Sequence, residues 1–250
     1  MHALDLRGLT KRFGAAAAVD GLDLVVPHGS FTGLVGPNGA GKTTTLSMAT
    51  GLLRPDSGVA LVHGIDIWQH GPEAKRLIGT LADGVDLYDR LTGGQLITFS
   101  GMLFGLERDT IRDRTADLLG LLDLEGSAGG LVADYSAGMR KKIALAASLV
   151  HSPRLLVLDE PFESVDPVSA ANIRDILDGF VKSGGTVVVS SHSMDLVQRM
   201  CDHVAIMAAG TVLVAGTVDE VRGTDDLETR FLDLVGGRRS GESPAWLLRS

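Results

Sequence analysis

The run Gly36-Pro37-Asn38-Gly39-Ala40-Gly41-Lys42-Thr43 limits what this chain can be more than any other stretch. It follows Phe31 to Val35, an apolar run that reads as a strand. It precedes Thr43 to Leu53, which reads as a helix closed by the turn residues Arg54-Pro55-Asp56-Ser57-Gly58. A glycine-rich loop between strand and helix is the context in which such a loop holds phosphate. Glycines let the backbone curl so that successive N–H groups face inward, and the helix N-terminus adds partial positive charge. From Gly36 to Gly41, and at Thr44 beyond, the loop offers its backbone to a ligand. Lys42 can reach the β- and γ-phosphates, and the Thr43 hydroxyl can ligate Mg²⁺. A coincidental glycine turn is the alternative, and the flanking strand and helix weigh against it.

Composition sets the outer limits. A chain of 250 residues suits one large domain, or a core with a lobe inserted into it. Glycine accounts for 32 of them, above the ~7% of an average protein, with no collagen-like period, so the excess belongs to discrete turns. The 23 Lys and Arg face 31 Asp and Glu, for a formal charge of -8. That balance argues against a protein built to grip nucleic-acid backbone, and no nucleic-acid partner is expected. The single cysteine, Cys201, can form neither an internal disulfide nor a multi-cysteine zinc site, which suits a reducing cytoplasm. No apolar run approaches the ~18–20 residues that span a bilayer, and Met1-His2-Ala3-Leu4-Asp5 does not open like a secretory signal. The expectation is a soluble, cytoplasmic chain that would reach a membrane only through a partner.

Strand-like and helix-like runs alternate. Leu22 to Val26, Val59 to Val62, Leu155 to Leu158 and Thr186 to Val189 read as strands, and Asn172 to Val181 as a helix. From Leu91 to Val150 the β character disappears, and Leu96, Ile97, Phe99, Leu103, Ile111, Leu118, Leu119 and Leu122 recur at helical spacing. The predicted fold class is α/β, with a mixed, largely parallel sheet covered by helices on both faces. The last dozen residues, Arg238 to Ser250, are polar apart from Trp246-Leu247-Leu248 and are expected to fray.

Further residues carry chemistry at strand ends. Leu155-Leu156-Val157-Leu158-Asp159-Glu160 is an apolar strand ending in two carboxylates, and a buried parallel strand delivers its last side chains to the ligand crevice. Asp159 there can hold Mg²⁺ through a water, and Glu160 can take a proton from an attacking water. A solvated acidic turn is the plainer reading. His192, after Thr186 to Val189 and Ser190-Ser191, could touch a γ-phosphate or be structural. Tyr135-Ser136-Ala137-Gly138-Met139 precedes the basic helical run from Arg140, where Ser136 can cap the helix and aim its free N–H groups at an anion.

Taken together, these motifs resemble the nucleotide-binding subunit of ATP-binding cassette (ABC) transporters over about Leu4 to Val235. Gly36 to Thr43 is similar to the Walker A loop and Leu155 to Glu160 to Walker B with its catalytic glutamate. Tyr135 to Met139 resembles the signature sequence LSGGQ. Ser164-Val165-Asp166 looks like the D-loop, His192 like the switch histidine, and Phe13 like the aromatic that stacks on adenine. The resemblance implies a P-loop ATPase core over 1–90 and 151–215 with a small antiparallel β subdomain, a helical lobe over 91–150 carrying the signature, and a C-terminal extension over 216–250. It implies ATP and Mg²⁺ as cofactors, with Ser136, Ala137, Gly138 and Asp166 among the nucleotide contacts. A second cassette, identical or different, would pair head to tail around two ATP, and separate membrane-spanning subunits would receive the stroke.

The chain departs from the family pattern in places. The glutamine that contacts Mg²⁺ and the attacking water is replaced by Asp83, in Ile78-Gly79-Thr80-Leu81-Ala82-Asp83-Gly84, where a metal-linked role and an ordinary loop acid stand equal. Ala137 stands where the signature has its first glycine. Leu91-Thr92-Gly93-Gly94-Gln95 looks closer to LSGGQ, but it lies 64 residues before Asp159 where Ser136 lies 23, and Thr92 reads better as a helix cap. The segments around Ser164 and Leu227 to Leu234 resemble exporter-type cassettes. An ATP-gated switch that transports nothing, and a weakened cassette of a heterodimer, are the competing readings.

Overall fold

The computed structural model describes residues 2–83 and 87–236. The C-terminal residues expected to fray, and Gly84, lie outside the described residues. Two long strands, β1 (His2–Phe13) and β2 (Ala16–Pro27), open the chain as an antiparallel pair. Sequence periodicity missed β1, because its apolar face shifts phase between Leu6 and Leu9, where the pairing with β2 is irregular. That face is nonetheless sealed at Leu4, Leu6 and Leu9. After β3 (Phe31–Val35) and α1 (Lys42–Ala49), β4 (Ser57–Val62) pairs with the other edge of β1, and β5 (Ile65–Asp66) completes an antiparallel sheet in the order β2-β1-β4-β5. The loop joining β4 to β5 is His63-Gly64, with both residues at positive φ, and the His63 ring lies 4.6 Å from that of His28. α1 stops short of the expected Leu53. Thr50 ends it and Gly51 takes the left-handed conformation at φ 73°.

A short helix, α2 (Gly71–Lys75), leads into β6 (Ile78–Leu81) of the second sheet. That sheet also contains β7 (Leu155–Leu158), β8 (Thr186–Ser191), β9 (His203–Ala208) and β10 (Thr211–Thr217) in the order β10-β9-β3-β8-β7-β6. All its pairings are parallel except that of β10 with β9. β3, β7 and β8 are buried along their whole length, as parallel strands covered on two sides must be, while the antiparallel edge strand β10 is not. Alternate residues divide accordingly. Leu155, Val157 and Val188 pack with α1 and the antiparallel sheet, while Leu156, Leu158, Val187 and Val189 pack into the opposite, helical layer.

Between β6 and β7 lie α3 (Gly93–Leu103), α4 (Arg108–Leu121) and α5 (Ala137–Leu149). Thr92 and Gln95 close a reciprocal capping box on α3, with Thr92 Oγ1 accepting from the Gln95 N–H and Gln95 Oε1 accepting from the Thr92 N–H. The look-alike motif is therefore a helix start. Leu96, Ile97, Leu122 and Ile143 from these helices join one apolar cluster with Leu156 and Leu158 of the sheet, so the helical segment is bonded to the core by packing. The chain continues through α6 (Pro167–Lys182), α7 (Met194–Met200), α8 (Val218–Arg222) and α9 (Leu227–Val235). β3, β8 and β7 are neighbours, so the loops leaving their carboxyl ends meet.

Candidate functional site

The phosphate loop leaves β3 at Gly36 under tight constraint. A Cβ there would collide with the Met207 carbonyl of β9 and come within 3.0 Å of the Ala40 side chain. Only glycine lets the loop pass so close to the neighbouring strand. Lys42 opens α1 and is 7% exposed. A buried ammonium needs partners, and Nζ donates to the carbonyls of Gly36 at 2.7 Å and Pro37 at 3.4 Å. The lysine thus braces the loop it belongs to, and Thr43 beside it is exposed to the cleft.

At the end of β7, Asp159 is 3% exposed, and its Oδ1 accepts a short hydrogen bond from Ser190 Oγ of β8. The same hydroxyl accepts from the Glu160 N–H at 2.8 Å. Glu160 sits at φ 44°, a conformation a non-glycine residue holds only when its surroundings fix it. Its peptide is pinned on the other side too, where its carbonyl accepts from Lys141 Nζ of α5 at 2.9 Å and from the Glu163 N–H at 3.2 Å. Its side chain lies 3.2 Å, Oε2 to Nδ1, from His192, which follows β8. Lys141 Nζ is also 3.7 Å from Asp83 Oδ1 in the loop after β6.

An open cleft of about 750 Å³ brings these groups together. It is lined by Asn38 to Thr44 together with Phe13, Asp83, Glu160, Glu163 and His192. Phe13, at the end of β1, is 55% exposed, which leaves its ring open to stack on a planar ligand. Asp159 does not line this cleft. It faces a small cavity under α1 beside Ser47 and Thr80.

The remaining expected contacts lie elsewhere. Ser136 caps α5, its Oγ accepting from the Met139 N–H at 3.2 Å, and neither it nor Ala137 and Gly138 borders the cleft. Asp166 does not border it either. It caps α6 by accepting from the N–H groups of Ser169 and Val168, and those bonds hold its carboxyl below the usual carboxylate range. Gly138 lies against this cap, and a Cβ there would meet Asp166 Oδ2 at 2.9 Å and Ser169 Oγ at 3.0 Å. Motif reading missed Glu163, Ser190 and Lys141. The basic run after Gly138 and the serines after β8 were visible, but their partners come from distant strands.

For a divalent cation the donors are oxygens: the Thr43 hydroxyl in the cleft and, from the small cavity under α1, the Asp159 carboxylate, which would act on it through a water. Among the described residues no cluster of three or more His, Cys, Asp or Glu side chains could hold a metal alone. A cation here would complete its shell with water and a ligand's phosphate oxygens. Mg²⁺ binds in that manner, so the residues fit it.

The profile of the ABC transporter family matches residues 19–163. The chain is 37% identical over 235 residues to the daunorubicin/doxorubicin resistance ATP-binding protein of Streptomyces peucetius, covering 93% of this chain and 71% of that protein. It is 35% identical over 218 residues to the Nod factor export ATP-binding protein I of Cupriavidus metallidurans, covering 87% and 72%. Among solved structures, an ATP-binding subunit of an ABC transporter superimposes with a TM-score of 0.86 at 26% identity, covering 93% of this chain and 99% of that one.

Proposed function

The chain belongs to the ABC transporter family and is an ATP hydrolase of that family; on that premise we propose that it works as the ATP-driven subunit of an exporter, pairing with a second cassette around two MgATP and driving separate membrane-spanning subunits. The observation that carries the pairing is the division of the site. Phosphate loop, Phe13, Glu160 and His192 share one cleft, whereas Ser136 to Gly138 lie off it and are free to complete the cleft of another copy. Export is supported by the relatives, which carry resistance and export names. No helix among the described residues is long and apolar enough to cross a membrane, so the pathway would belong to partner chains.

In this reading Phe13 stacks on the adenine, and Lys42 turns from the carbonyls of Gly36 and Pro37 to the β- and γ-phosphates. Mg²⁺, when bound beside Thr43 and Asp159, neutralises charge on those phosphates. Glu160 takes a proton from the attacking water as its oxygen bonds to the γ-phosphorus and the bond to the bridging oxygen breaks. His192 orients the Glu160 carboxylate through the 3.2 Å contact. The free N–H groups of the first turn of α5, beside the Ser136 cap of the opposite copy, would face the transferred phosphoryl group.

The test is the solution mass of Glu160→Gln with and without MgATP. The expected result is a monomer that becomes a dimer only with nucleotide. A chain that binds ATP and stays monomeric refutes self-pairing and points to a different partner cassette. A chain that binds no ATP overturns the reading.

A further inference from the structure

Asp83 stands where the nucleotide cleft meets a second groove of about 580 Å³ that runs between β6 and helices α3 and α5. It is half exposed, and the cation nearest to it is Lys141. Lys141 is mostly buried and points its ammonium at two groups at once: the carboxylate of Asp83 at 3.7 Å and the main-chain carbonyl of Glu160 at 2.9 Å. The second contact is a hydrogen bond. The first is longer and acts through charge.

The Glu160 peptide is therefore clamped between two elements. Its N–H is held by Ser190 of β8 and its C=O by Lys141 of α5, with the Glu163 N–H sharing the carbonyl. The backbone needs such a clamp, because φ 44° is unfavourable for glutamate. Lys141 brings a third party into it. The same ammonium that steadies Glu160 is partly neutralised by an acid facing the phosphate-binding cleft.

We propose that Lys141 is a positioning residue that shares its charge between Asp83 and the Glu160 carbonyl, so that Asp83 must exchange Lys141 for a nucleotide-bound divalent cation and the grip on Glu160 tightens as it does. The proposal rests on the ATPase reading above. Its physical content is a competition for one carboxylate. With Asp83 on Lys141, the ammonium is divided between two acceptors. With Asp83 drawn to a cation in the cleft, the whole positive charge falls on the Glu160 carbonyl, and charge-assisted hydrogen bonds are the stronger kind. Helix α5 also begins at Ser136, so the exchange ties the state of the cleft to the helix that presents the Ser136 cap.

The test compares Kd values for ATP in excess EDTA and for MgATP, by displacement of a fluorescent nucleotide from the full chain. An exposed ion pair is worth at most ~1 kcal/mol, so Lys141→Met should raise the preference for MgATP about two- to fivefold. Lys141→Arg should keep the wild-type ratio. In an Asp83→Asn background the Lys141→Met change should leave the ratio unaltered, and Asp83→Asn alone, at a half-exposed site that tolerates it, should lower the preference. Turnover separates in parallel: Lys141→Met should lower KM for MgATP while kcat falls about tenfold through the loosened Glu160 peptide. A wild-type ratio in Lys141→Met, or an equal change with and without Asp83, overturns the proposal. If wild-type chain binds nucleotide in neither buffer, the ATPase reading falls with it.

Discussion

Ser190 holds two acidic residues with one oxygen, and its removal is the sharpest probe of the strand-end geometry. Its side chain is fully buried, donates to Asp159 Oδ1 and accepts from the Glu160 N–H at 2.8 Å. Ser190→Ala deletes a bond to a charged acceptor, worth about 1.5–3 kcal/mol, and a neutral one worth about 0.5–1.5 kcal/mol. Asp159 is 3% exposed, so water replaces the first of these poorly. A loss near ~3 kcal/mol should lower the unfolding midpoint of the nucleotide-free protein by about 6–12 °C at this chain length. Ser191→Ala is the control. Ser191 is nearly as buried in the same strand, and its hydroxyl accepts one neutral bond, from the Ser193 N–H at 3.0 Å, so its cost should be about 1 kcal/mol. Turnover should separate the two further, with a loss above about tenfold in Ser190→Ala because Glu160 is no longer anchored at its N–H. Differential scanning calorimetry and a phosphate-release assay read both quantities. If Ser190→Ala melts within about 1 °C of Ser191→Ala, the claim that this hydroxyl organises the carboxylates is refuted.

Burial of His63, followed by the neighbouring His28 and Arg154, lowers its pKa to about 4, so the unfolded chain binds a proton that the folded chain refuses. Stability contributed by neutral His63 is complete above about pH 6.5 and is lost as pH falls toward 4. His63→Asn, which suits the positive φ of this turn, should flatten the melting temperature between pH 7 and pH 5, and an unchanged slope would contradict it. Gly36→Ala should cost about 2 kcal/mol or more and abolish nucleotide binding, because its Cβ meets a strand carbonyl and not a movable side chain. Retained affinity in a fluorescent-nucleotide titration would count against that.

The phosphate loop, the paired carboxylates and His192 were legible because each obeys a local rule: glycine spacing, or a polar residue ending an apolar strand. The expected helix cap at Thr92 was legible for the same reason, since Thr92 and Gln95 satisfy a capping box among themselves. β1 was missed because its register contains bulges between Leu6 and Lys11, so no clean alternation survives. α1 was drawn too long because Leu52 and Leu53 continue an apolar pattern that Gly51 has already ended. Ser190 and Lys141 matter through partners about 30 and 20 residues away in sequence, brought close only by strand order and helix packing. Asp166 is a D-loop aspartate by resemblance, and within one chain its carboxylate caps α6 by accepting from the Ser169 N–H, a role no motif announces.

The order in which β3, β8 and β7 stand in the sheet also sets a schedule for synthesis. β3 leaves the ribosome early, and β8, which pairs with it from Phe31↔Val187 to Val35↔Ser191, emerges roughly 150 residues later. At about 5–20 residues per second that delay lasts on the order of 8–30 s, during which a strand destined to be fully buried has neither of its final neighbours, β8 or β9. The N-terminal sheet and α1, which pack with Leu34, are made first and can cover one face of it, and the helices that pack with Phe31 and Val35 on the other face follow within that interval. The nascent chain should thus be a client for chaperones over its middle third, and substitutions that loosen β1 or β2 should reduce the yield of folded protein more than its stability once made.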